Sequence, residues 1–136
     1  MVTLLLLAVA LPGALTTAWL RGALGGDRMG HFPATDPDDP VARGVRDAHV
    51  RLNAAVGWRE WRPAHLRGLA TELRVLARRY GDDTRNAARS QLLEAAAAVD
   101  RARRANDREE AVFAHRLIEG LEHRLARDWR DRMRSS

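Results

Sequence analysis

From Pro40 to Met133 the apolar residues recur at steps of three and four, with no run that alternates at a period of two. That spacing gives each of several helices one apolar stripe and leaves nothing that reads as a half-buried strand. Val41, Val45, Ala48, Leu52 and Ala55 form the first stripe, over 40–56. Pro40 suits a first helical position, with Asp38 or Asp39 as its cap. Leu66, Leu69, Ala70, Leu73, Leu76, Ala77 and Tyr80 form the second, predicted to run from Pro63 to Tyr80 and to stop at Gly81. Ala88, Leu92, Ala95, Val99 and Ala102 form the third, starting from a cap within Asp82–Thr84. Phe113, Leu117, Ile118, Leu121, Leu125, Trp129 and Met133 form the fourth. The stretch RRANDREE (103–110) has no apolar side chain larger than Ala, and the third register fails across it. A turn is therefore predicted near Asn106, where Asp107 and Glu110 can open the last helix as a capping box. One continuous helix over 84–134 is the alternative.

Short connections make successive helices antiparallel neighbours. The expected fold is all-α: an N-terminal membrane helix or signal, then a small up-and-down bundle of three to four helices over 40–134. Aromatic residues make up only 5% of the chain, so the core must be mostly Leu, Val and Ala. Such a core suits closely packed helices.

The first twenty residues, MVTLLLLAVALPGALTTAWL, carry no charged side chain. As a helix they reach roughly 30 Å, about the hydrocarbon thickness of a bilayer. Trp19 and Arg21 fall where the membrane–water interface would lie. These features describe a retained anchor, assigned to 1–24. Pro12-Gly13, the apolar block Leu4–Leu11 and the small residues Thr16 and Ala18 describe instead an export signal that is cut away. A buried core helix of a soluble protein is the third reading. Arg21 and Arg28 follow the segment and no Arg or Lys precedes it, which places the bundle of a single-pass protein on the cytoplasmic side. Cleavage would leave a secreted or periplasmic protein. Residues 25–39, rich in Gly, Pro and Asp, read as a solvated connector.

All 23 basic residues are Arg, and the net charge is +5. Residues 41–81 are the basic block, with nine Arg against three acids. No recognition-helix or aromatic RNA-binding pattern accompanies that charge, so anionic lipid rather than nucleic acid is the expected polyanion. The absence of Cys excludes disulfides and thiolate chemistry. No phosphate loop or nucleophile elbow occurs, so neither a cofactor nor an enzymatic activity is expected. His115, Glu119 and His123, at successive intervals of four, could offer two nitrogens and a carboxylate to a metal, or simply form surface pairs. His49 and His65 read as boundary positions beside apolar stripes.

GWREWRP (57–63) joins the first two helices and holds two of the four Trp. Trp61 can pack on Leu66 and Trp58 can plug the bundle's end. Alternatively Trp58, Trp61, Arg59 and Arg62 form a hot spot for a protein partner. At the other end, Trp129 and Arg130, with Arg124, Arg127 and Arg132, are candidates for contact with headgroups. REEAVFAHRLIEGLEHRL (108–125) is similar to the second helix of a tetratricopeptide-type repeat, as a single unit without tandem copies. WRPAHLRGLATELRVLARRYGDD (61–83) resembles small membrane-anchored helical proteins that high-GC bacteria encode beside MoxR-type ATPases. The expected role is a non-catalytic, membrane-anchored helical adaptor or scaffold. The alternatives are an exported helical protein without its signal and a bundle metalloprotein using His115, Glu119 and His123.

Overall fold

The computed structural model describes residues 32–57, 60–83 and 85–136. The apolar start, Trp19, Arg21, Trp58 and Arg59 lie outside the described residues, as does the segment expected to anchor the chain or direct its export. Among the described residues there are four α-helices and no strand, and no helix is long and apolar enough to cross a membrane.

Helix α1 spans Pro40–Val56. Asp39 caps it by accepting a 2.9 Å hydrogen bond from the Val41 amide, and Pro40 takes a position whose missing N–H costs nothing. Helix α2 spans Leu69–Arg78 and is shorter than its apolar stripe. The expected continuous helix from Pro63 is broken: Pro63–Leu66 is a single 3-10 turn, and Gly68 follows in the left-handed region at φ 77°. Glycine enters that region without a Cβ penalty, so the chain bends there while Leu66 and Leu69 both stay buried. Tyr80 falls in the turn after α2, which Gly81 (φ 70°) completes.

Helix α3 spans Ala87–Ala105 and starts later than Asp82–Thr84. Its cap is Asn86, whose side chain accepts from the Arg89 amide. The turn near Asn106 is present. Asn106 is left-handed (φ 51°), Asp107 accepts from the Glu109 amide, and α4 runs Arg108–Ser135. The continuous-helix alternative is excluded. Glu110 reaches Arg101 of α3 at 3.1 Å rather than folding back on the cap.

Cross-links between helices fix the topology. Arg51 of α1 meets Glu72 of α2, Arg74 of α2 meets Asp100 of α3, and Arg101 of α3 meets Glu110 of α4. Along α1 and α4 the partners run in opposite order, from Asp36 with Arg132 to Val56 O with Arg108. Neighbours are therefore antiparallel, and the bundle is up-and-down with α4 closing against α1.

Leu52, Leu66, Leu69, Leu73, Leu92, Ile118 and Leu121 form the bulk of the core. Between them, Ala95, Ala96, Ala98, Ala102, Ala111 and Ala114 are fully buried, so α3 and α4 meet through small side chains. Two residues of the expected fourth stripe are exposed, Phe113 to 38% and Met133 to 61%. Phe113 lies off the Ala111–Ala114–Ile118 face. Met133 falls on the part of α4 that outruns its 17- and 19-residue neighbours α1 and α3.

The α3–α4 turn is also tied to the opposite connection, because the Trp61 indole N–H donates to Asn106 Oδ1 at 2.7 Å. Asn106→Gly should keep the left-handed turn and lose only that acceptor, about 1 kcal/mol. Asn106→Ala should lose both and unfold at lower urea, by about a further 1 kcal/mol. Equal stability of the two variants would show that backbone conformation is not limiting there.

Candidate functional site

Glu122 is the only carboxylate of the described core, fully buried on α4 among Ala114, Ile118, Leu121 and Ala126. A carboxylate without water must be paired. Two residues one turn apart on α1 do so: Arg46 Nε donates to Oε2, and His49 Nδ1 lies 2.5 Å from Oε1. Burial pushes the Glu122 carboxyl up, but the hydrogen bonds from His49 and then Arg46 outweigh it and hold it below its ordinary value. Glu122 is thus ionised near neutrality and can only accept, so His49 Nδ1 carries the proton. The His115 ring, also from α4, meets His49 edge-on, with centroids 5.0 Å apart and planes at 66°.

The group Arg46–Glu122–His49–His115 joins α1 to α4 midway along the bundle. His49 is 3% exposed, not a boundary residue, because it lies on the Val45–Leu52 face opposite α4. A sequence signal existed for the set: Glu122 follows Ile118 by four, and His49 follows Val45 by four, so both occupy core registers. Neither cleft found on the surface is lined by His49, His115 or Glu122. The arrangement can hold a proton at a defined nitrogen and fix helix register.

The alternative in which His115, Glu119 and His123 share a metal finds no support among the described residues. His115 turns toward His49 and His123 is exposed, and among the described residues no group of three or more His, Asp or Glu could hold a metal ion. Trp61 is half-buried against the core with its indole N–H engaged by Asn106, and exposed Arg62 lies 3.8 Å from Glu60. Trp129 is half-buried, and Arg127, Arg130, Arg132 and Arg134 are exposed around it on the overhanging end of α4.

Neither cleft is foreshadowed by the helical periodicity of the chain. One, about 280 Å³, lies between α1 and α2 and is lined by Gly44, Ala48, Leu69, Leu73, Val75 and Leu76, with Asp47 and Glu72 at its edge. Gly44 brings the helices close there, since a Cβ would come within 2.6 Å of Leu76 Cδ2. The second, about 510 Å³, lies between α2 and α3 and is lined by Arg74, Ala77, Arg78, Gly81, Asp82, Arg89 and Leu93. It opens at the bundle end where the chain enters α1. Burial raises the pKa of the Tyr80 phenol, Asp39 raises it further, Arg124 opposes them and Asp128 adds to the rise, so this turn faces the start of α1 and the end of α4.

Removing Glu122 should be costly. Glu122→Ala, read by urea unfolding of the full chain in neutral detergent, should lose about 3–5 kcal/mol by stranding its partners. The pair His49→Leu, Glu122→Leu should recover most of that loss, since apolar residues of similar size can replace a buried ion pair. Because the folded-state carboxyl is depressed, its stabilisation is complete above its unfolded value of about 4.3 and is lost as pH falls through the lower folded value. Glu122→Gln should flatten this part of the acid limb; an unchanged slope would show that another carboxylate controls it. No protein-family model matches the chain, and no match occurs among curated proteins or solved structures.

Proposed function

We propose that the protein is a non-catalytic helical adaptor, tethered to the cytoplasmic face of a membrane by its apolar start, with the α4 terminus resting on anionic headgroups. The observation that carries this reading is the placement of two features at one end of the bundle. Asp36, just before α1, lies 3.9 Å from Arg132 of α4. The chain that leaves the uncharged segment 1–20 thus enters the bundle beside Arg127, Arg130, Arg132, Arg134 and Trp129. Juxtamembrane arginines gain about 1 kcal/mol each near an anionic surface, and a half-buried Trp suits the interfacial layer. The overhang of α4 lets those side chains reach past the other helices.

The absence of catalysis in this reading rests on access. Among the described residues, the buried acid–base group, His49 with Glu122, does not line the α1–α2 or the α2–α3 cleft. Trp61 and Arg62 lie at the opposite end, which this reading leaves to a protein partner.

Membrane tethering is tested by expressing the full chain, extracting membranes with carbonate and measuring the mass of its N-terminus. Retention in the pellet with Met1 intact is expected; a soluble product lacking the first residues would replace the anchor with an export signal. In vesicles, changing Arg127, Arg130 and Arg134 together to Glu should leave insertion into neutral lipid intact. It should also abolish the extra protection of α4 from proteolysis that phosphatidylglycerol confers on the native chain.

A further inference from the structure

We infer that the α2–α3 cleft is a binding site for a phosphate ester of a small polyol, held by Arg74, Arg78 and Arg89. The inference rests on the membrane reading for the ligand's most direct source, a glycerophosphate headgroup, because the cleft opens at the end where the chain enters α1. Its chemistry does not depend on that source.

Three guanidinium groups line one recess of about 510 Å³, contributed by the last two turns of α2 and the first turn of α3. Two are held in place by hydrogen bonds. Arg74 Nη2 donates to Asp100 Oδ2 at 2.7 Å, and Arg89 Nε donates to the Gly81 carbonyl at 3.0 Å. Each keeps further N–H groups for a ligand, in the planar fork that matches phosphate oxygens. Arg78 has no carboxylate partner among the described residues. Gly81 is left-handed, and nothing lies within 4 Å of where its Cβ would stand, so the turn leaves the mouth open.

The remaining lining selects the class of anion. Asp82 would repel a bare phosphate but can accept hydrogen bonds from hydroxyls on the same molecule. Ala77 and Leu93 give an apolar wall for its carbon skeleton. The volume falls within the range of small-molecule sites and exceeds what one inorganic phosphate fills.

The test uses the ¹⁵N-labelled full chain in micelles of an uncharged detergent, following the Arg89 Nε–H signal and the Gly81 amide. Glycerol 1-phosphate should shift both saturably. Arg78→Ala should weaken that binding on the order of tenfold, the loss of one charge-assisted contact, and Arg78→Lys should restore part of it. An unchanged urea midpoint in Arg78→Ala shows that the fold survives. Phosphatidylglycerol doped into the micelles should reproduce the shifts; response to the soluble ester alone would support the site and assign it a free ligand. Equal affinity for inorganic phosphate would overturn the polyol assignment, and no saturable shift with either ester would overturn the site. Carbonate extraction reports separately on the tether, so either idea can fail while the other stands.

Discussion

A carboxylate with no access to water constrains where the first and last helices can stand. Glu122 is fully buried, and its two oxygens are satisfied only when Arg46 and His49 of α1 lie opposite it. Sliding α4 by one turn along α1 would leave the charge unpaired, at a cost of several kcal/mol. Apolar contacts do not discriminate so sharply. The interfaces of this bundle are rich in Ala, and one Ala packs much like the next. The ionic group therefore specifies the α1–α4 register, whereas burial of Leu, Ile and Val supplies most of the driving force. His115 extends the group by packing edge-on against His49.

Closing α4 on α1 decides what each end of the bundle can offer. The register brings Asp36 to Arg132 and collects the overhanging arginines where the chain enters the fold. The same end receives the Gly81 turn and the arginine-lined cleft beside it. The opposite end is bound together by Trp61 with Asn106 and by Arg108 with the Val56 carbonyl. One end therefore gathers arginines and the α2–α3 cleft, and the other is cross-linked. The proposed adaptor would use this polarity, with anionic lipid at one end and a protein partner at the other.

Much of the helical framework was legible because it rests on local chemistry. Asp39–Pro40 announces α1, Gly81 ends the second segment, and the apolar gap around Asn106 marks the last turn. The break at Gly68 was less legible, since Leu66, Leu69 and Ala70 keep helical spacing across it. Phe113 and Met133 matched the period of α4 without being buried: Ala111 and Ala114 take the narrow gap to α3 in place of Phe113, and Met133 lies on the overhang beyond the neighbouring helices. His49 read as a boundary position and Glu122 was not singled out, because a polar residue at a core register reads as an interruption until its partner on another helix is known.

The sequence by itself determined a chain of antiparallel helices, an aromatic-poor core, and an uncharged start followed by an arginine-rich body. These follow from periodicity, capping and composition, each acting within a few residues. Only the tertiary structure decided which polar residues are inside, which end gathers the arginines, and that Arg74, Arg78 and Arg89 share one recess. Those outcomes depend on residues far apart in the chain meeting at a fixed register, and the buried Glu122 charge sets that register between the first helix and the last.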